Sequence, residues 1–155
     1  LHGGANEEAM KMLEEIDSVD EVRDYIDRKL EMKEKIMGFG HAVYSVKDPR
    51  SEIIKAYSEE LSKSHPKKLL HDVAAIMEED LKEKKNLFPN TDFFMAPAYH
   101  YIKIPTKLFT PLFAIARIVG WSAHVFEQRE NNRIIRPNAE YIGPPDREWL
   151  DIESR

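Results

Sequence analysis

The chain of 155 residues contains no cysteine, so disulfides and thiolate nucleophiles are excluded. That is what a reducing, cytoplasmic setting predicts. It has no basic excess: 28 acidic against 23 basic side chains give a net charge of −5. A phosphate-neutralising surface is therefore not expected, nor a nucleic-acid partner. No apolar run reaches the length of a membrane span, because Leu108 to Val119 is the nearest and carries Pro111 and Arg117. No secretory signal is visible. The four histidines outside the motifs below, His65, His71, His100 and His124, have no metal-ligand spacing and read as surface or packing residues. The chain also lacks an initiating methionine, opening on Leu1 within a polar motif, which reads as a fragment of a longer polypeptide.

Charge is abundant, at 33% of residues, and dispersed, as in Glu31-Met32-Lys33-Glu34-Lys35. Such a pattern suits solvated helix faces. The dominant period is helical. Glu7 to Ile16 places Ala9, Met12, Leu13 and Ile16 on one face, with Asn6 as the expected N-cap. Val19 to Lys35 repeats the pattern. Met37 to Arg50 is rich in Gly and β-formers and predicts a loop or short ribbon. Ser51 to Ser62 and Pro66 to Lys85 predict two further amphipathic helices, the second with Pro66 in its first turn. Lys82 to Thr91 is a charged turn and the expected domain boundary. Beyond it, Phe93 to Tyr101 and Thr106 to Arg129 predict helices apolar nearly all round, the latter interrupted early by Pro111. Helices of that kind belong inside a larger body. From Asn131 onward, Pro137, Gly143, Pro144 and Pro145 predict an extended tail.

Three short motifs each set one titratable group beside Gly or Pro at a helix edge. In Leu1-His2-Gly3-Gly4-Ala5-Asn6, His2 is either an acid/base group near bare backbone or a frayed terminal residue. In Gly38-Phe39-Gly40-His41-Ala42-Val43-Tyr44, the glycines let backbone amides approach an anion or a flat ring, and a structural turn explains them equally well. No strand precedes this segment and a third Gly is missing, so it is not a dinucleotide fingerprint. In Phe88-Pro89-Asn90-Thr91-Asp92-Phe93, Thr91 or Asp92 as a helix cap is the simpler reading. Asp92 as a general base held against Phe93 and Phe94 is the functional one. Arg50, Arg117 and Arg136 are candidate carboxylate ligands. Arg117 is the strongest, because it lies between Phe113 and Val119, a costly place for a guanidinium without an anion.

In this order, with Asp48-Pro49-Arg50, Phe109-Thr110-Pro111-Leu112-Phe113-Ala114-Ile115-Ala116-Arg117 and Ile134-Ile135-Arg136-Pro137, the motifs resemble the C-terminal portion of the citrate synthase family from Leu1 to about Pro144. The resemblance implies an all-α, multihelical fold. Residues 1–93 would form the small domain, and 94–155 the C-terminal part of the large domain with its extended tail. It implies a homodimer acting on oxaloacetate and acetyl-CoA without metal or prosthetic group, active only together with an N-terminal portion of the same protein. By the same resemblance Asp92 removes a proton from the acetyl methyl group, His2 stabilises the enol and His41 polarises the oxaloacetate carbonyl. Arg50 and Arg117 hold carboxylates, Arg136 reaches the neighbouring subunit's site, and Phe113 stands near the acetyl group. Ile36, Met37, Gly38, Phe39 and Gly40 hold the adenine end of CoA. Lys47 and Lys85 are the candidates for CoA phosphates, because Ser45 stands where some members carry arginine. Residues 105–117 and 127–137 are at least as similar to 2-methylcitrate synthases, which use propionyl-CoA. A different reading of the isolated chain is an inactive helical body that only dimerises or binds CoA.

Overall fold

The computed structural model describes residues 3–44, 46–145 and 149–154. They form six α-helices, α1 (Ala5–Leu13), α2 (Val22–Glu31), α3 (Pro49–Ser62), α4 (Leu69–Lys85), α5 (Thr91–Tyr101) and α6 (Phe109–Glu130). Short 3-10 turns stand at Val19–Glu21, Thr106–Leu108 and Ile152–Ser154. No strand occurs among the described residues; one antiparallel bridge joins Phe39 to Pro89. The fold is all-α. Two units are distinguished, Leu1–Trp121 and Ser122–Arg155.

The core lies in the first unit. Met10 and Leu13 of α1, Val22 and Ile26 of α2, Val73, Met77 and Leu81 of α4, and Phe93 and Phe94 of α5 are all without solvent exposure. Each such side chain contributes about 1.5–3 kcal/mol on leaving water. α5 packs against α1, α3 and α4. The buried positions of α3 are serines, with Ile54 and Leu61 packed partly against the core beside them. Ser51, Ser58 and Ser62 are buried, whereas Ile53 and Tyr57 are exposed. Their small volume suits a close approach to α5, and Ser58 Oγ meets the buried His71 Nδ1 at 3.0 Å. Tyr101 joins the same region, its hydroxyl accepting from the His71 amide at 2.9 Å.

Helix ends depart from the expectations in informative ways. α1 starts at Ala5 after Gly4, so Asn6 is not its cap; Asn6 is buried in the first turn, and its Oδ1 accepts the Glu7 amide. α5 is capped by Asn90, which accepts the Asp92 amide at 3.0 Å, rather than by Thr91 or Asp92. α3 begins two residues earlier than expected, with Asp48 as cap and Pro49 in the first turn. Residues 66–68 are turn, and α4 opens only at Leu69. Its C-cap, Asn86, is left-handed at φ 52°. The helix expected over Val19 to Lys35 ends at Glu31 and begins with a 3-10 turn under Ser18.

Pro111 does not interrupt α6. It stands in the first turn, where a missing N–H costs no intrahelical bond. Thr106–Glu130 is consequently long and apolar enough, by length and composition, to cross a bilayer, contrary to the expectation for this region. Within the chain only Phe109 of α6 is buried. In the second unit the end of α6 runs into a segment without regular structure over residues 132–145, a 3-10 turn stands at Ile152–Ser154, and every described residue of this unit is exposed.

Candidate active site

Two loops are laced together at the start of α5. The Asn90 amide donates to Gly38 O at 2.8 Å, the Gly40 amide donates to Phe88 O at 3.0 Å, and Asn90 Nδ2 donates to Gly40 O at 3.0 Å. Gly38 has φ +83°, and a Cβ there would lie 2.7 Å from Phe93 Cβ and 2.9 Å from its Cα, so only glycine fits. Phe39 packs against Phe93 at a tilt, with ring centroids 4.5 Å apart. This lacing fixes the backbone leading into His41 against the backbone leading into Asp92.

His41 Nδ1 accepts the amides of Val43 at 3.0 Å and Tyr44 at 3.1 Å. With Nδ1 used as an acceptor, Nε2 is the ring nitrogen left to donate, as to a carbonyl oxygen. His41 and Tyr44 line a cleft of about 210 Å³ together with Gly40, Asp48, Phe88 and Pro89.

Asp48 is 2% exposed and its carboxylate is fully engaged. Oδ1 accepts the Arg50 amide at 3.0 Å and Nε at 2.9 Å; Oδ2 accepts Arg50 Nη2 at 2.8 Å and Thr91 Oγ1 at 2.9 Å. The Arg50 side chain hydrogen bonds, helped by its amide and by Thr91, hold the Asp48 carboxyl well below the usual carboxylate range. Arg50 is held more firmly protonated, chiefly by Asp48, and the Asp92 charge acts on it in the same direction. Asp92 itself is half-buried in the first turn of α5. Its charge also adds to burial in raising Tyr99. Phe93 and Phe94 turn their rings into the core, meeting each other edge to face, while Phe39 lies tilted against Phe93 and His71 tilted against Phe94.

A second cleft, of about 330 Å³, is lined by Gly3, Thr110, Phe113, Ala114, Arg117 and Trp121. Arg117 is exposed, not buried among apolar side chains as its neighbours in sequence suggested; those neighbours point around the helix, and its guanidinium lies 4.9 Å over the Phe113 ring. Gly3, at φ +96°, brings backbone against the same ring, where a Cβ would meet Phe113 Cδ1 at 3.0 Å. Thr110 Oγ1 donates to Glu7 at 2.7 Å, tying α6 to α1. That bond and Lys11 hold the Glu7 carboxyl below its ordinary value.

The structure thus gathers His41, Arg50 and Asp92 around the laced loops, and Phe113 and Arg117 around the second cleft. His2 lies outside the described residues, as does Ser45. Arg136 belongs to the second unit, exposed on the extended segment after α6. Ile36, Met37 and Phe39 pack their side chains partly into the core. Lys47 pairs with Glu52 at 2.6 Å, and Lys85 is exposed in the last turn of α4. Lys84 bridges Asp27 and Asp80. Asp48 and Asn90 carry no role in the sequence reading, and Thr91 only that of a candidate cap; the signal for Asp48 is an Asp-Pro pair at a helix start. Among the described residues no group of three or more His, Asp or Glu could hold a metal ion.

Residues 1–138 match the family model of the citrate synthase C-terminal domain. The chain belongs to the citrate synthase family. It is 52% identical over its whole length to 2-methylcitrate synthase of Shewanella oneidensis, covering 41% of that protein, and 47% identical to citrate synthase 2 of Bacillus subtilis, covering 42%. Among solved structures, citrate synthase of Thermoplasma acidophilum in ternary complex with carboxymethyl coenzyme A and oxaloacetate superposes with a TM-score of 0.87 at 37% identity, over 98% of this chain and 42% of that one. The chain therefore spans about two fifths of the length of these citrate synthase relatives.

Proposed function

We propose that the protein carrying this chain condenses acetyl-CoA with oxaloacetate to give citrate and CoA. The observation that carries this reading is the lacing of the His41 and Asp92 loops beside the Asp48-anchored Arg50. Asp92 takes a proton from the acetyl methyl group, and His2 donates to the thioester oxygen on which the enol charge collects. The methyl carbon then bonds to the oxaloacetate carbonyl carbon. His41, through Nε2–H, donates to the oxygen that becomes the hydroxyl. Water cleaves the citryl thioester and CoA leaves. Arg50 and Arg117 bind carboxylates as bidentate forks, Arg136 serves the neighbouring subunit of a homodimer, and Phe113 borders the acetyl group. Backbone of residues 36–40, with Lys47 and Lys85, receives CoA.

Residues 1–93 act as the small domain and 94–155 as part of the large one. Closure of one on the other excludes water from the enol. An N-terminal portion of the polypeptide supplies the rest of the large domain and covers α6, so that helix meets protein rather than lipid. The setting is cytoplasmic. A second reading, 2-methylcitrate synthase acting on propionyl-CoA, is favoured by the 52% identity to the Shewanella protein. One methylene is worth only about 1–3 kcal/mol in an apolar pocket. Comparing oxaloacetate-dependent CoA release from acetyl-CoA and propionyl-CoA in the full-length polypeptide tests both: faster release from propionyl-CoA replaces the first reading by the second.

A further inference from the structure

Capping α3 requires one acceptor at Asp48, the Oδ1 that takes the Arg50 amide. The remaining contacts exceed that need. The buried carboxylate also grips Arg50 along the Nε and Nη2 edge and takes the hydroxyl of Thr91, the residue next to Asp92. Of the five guanidinium protons, the grip uses Nε–H and one on Nη2. Nη1 and the second Nη2 proton form an outward fork on a side chain that is 58% exposed, while the Asp48 side chain is 1% exposed. As a unit, the Arg50–Asp48 pair is neutral, so what Asp48 supplies to an anion is orientation of the fork.

We infer that Asp48 and Thr91 are positioning residues: Asp48 presents the outer edge of Arg50 to a carboxylate of the oxo-acid substrate, and Thr91 ties that presentation to the turn carrying Asp92. The inference rests on the oxaloacetate reading above. Its consequence is that substrate placement and base placement share one buried carboxylate. Loosening either arm disturbs the other.

Asp48→Asn isolates the role. Its Oδ1 still caps α3, since asparagine is as good a cap as aspartate. Its amide nitrogen, however, turns a donor towards Arg50 Nη2, which can only donate, and reverses the bond to Thr91 Oγ1, whose hydroxyl must then accept. In the full-length polypeptide this variant should weaken oxaloacetate binding about tenfold, the scale of a lost charge-assisted hydrogen-bond arrangement, with the acyl-CoA KM changed less than about twofold. Thr91→Val should act in the same direction, and Thr91→Ser should retain most of what valine loses. In the same samples, exchange of the Arg50 Nε–H followed by 15N NMR should be slow in the wild type and fast in Asp48→Asn. Unchanged oxaloacetate affinity in a folded Asp48→Asn protein overturns the inference. So does a Thr91→Ser variant as impaired as Thr91→Val, or rapid Nε–H exchange in the wild type. A wild type that binds no oxaloacetate overturns the reaction and the positioning role with it; slow Nε–H exchange there would locate the failure in the reaction rather than in the clamp.

Discussion

α5 and α6 have similar sequences in one respect, being apolar on most sides, and opposite fates. Phe93 of α5 is fully buried, whereas Phe126 of α6 is 69% exposed and Val119 is 75% exposed. α5 finds partners in α1, α3 and α4. α6 is held in the first unit by the Thr110–Glu7 bond, by Phe109 and by Gly3 against Phe113. An all-round apolar helix therefore states how much cover it needs and not where the cover comes from. The site residues divide in the same way. Those at the head of α5 are fixed by contacts within the chain, and those on α6 line a cleft with an open, apolar flank.

The sharpest test of this contrast is a pair of like truncations. Phe93→Ala should destabilise the chain by about 3–5 kcal/mol, the cost of emptying a core aromatic site. Phe126→Ala should change it by less than about 0.5 kcal/mol, as for other exposed positions. Urea midpoints of the two variants measure both. Repeating Phe126→Ala in the full-length polypeptide sharpens the comparison: a cost above about 2 kcal/mol there would mean that the rest of the protein covers α6, and a negligible cost would break that part of the account.

Gly38→Ala attacks the head of α5 from the other loop. Its φ of +83° alone costs about 1–3 kcal/mol in strain, and the Cβ overlaps Phe93 backbone. Stability and oxaloacetate-dependent CoA release should fall together. The corresponding change at Gly120 in α6, where the nearest atom to an added Cβ is Arg117 Cδ at 4.0 Å, should be neutral or stabilising.

Acid should also act on one region only. Burial pushes the His71 imidazole below its ordinary value, and His100 is lowered by burial and by the nearby Lys67 and His65. A folded pKa below the unfolded one means that protonation favours unfolding. Stability is complete above the unfolded value of 6.5 and is lost as pH falls through it towards the folded values. Urea midpoints between about pH 7.5 and 5 should decline in the wild type and decline less in His71→Gln. A small effect is also expected at Arg117→Lys, where the urea midpoint should register the loss of stacking on Phe113 worth about 0.5–1 kcal/mol at an exposed site.

The helices were legible because apolar side chains at Met12, Leu13 and Ile16, or at Val22 and Ile26, repeat at the helical period. The caps were less so, because Asn6, Asn90, Thr91 and Asp92 all have side chains able to cap, and neighbouring packing decides among them. Pro111 was misread since a proline ends a helix only when it falls beyond the first turn. The His41–Asp92 pairing was not visible in spacing. It arises from backbone bonds between residues 38–40 and 88–90, which have no side-chain pattern apart from the glycines that permit them. Arg117 has apolar neighbours in sequence on both sides, whereas helical geometry sets its guanidinium over the Phe113 ring in an open cleft.

The account depends most on Asp92 acting as the base at the head of α5. The measurement that tests it is CoA release from acetyl-CoA, with and without oxaloacetate, by full-length wild type and Asp92→Ala, beside calorimetric oxaloacetate binding. The account predicts oxaloacetate-dependent release in the wild type, a loss on the order of 10³-fold or more in the variant, and oxaloacetate binding largely unchanged. Full release by Asp92→Ala, or none by a folded wild type, would contradict it.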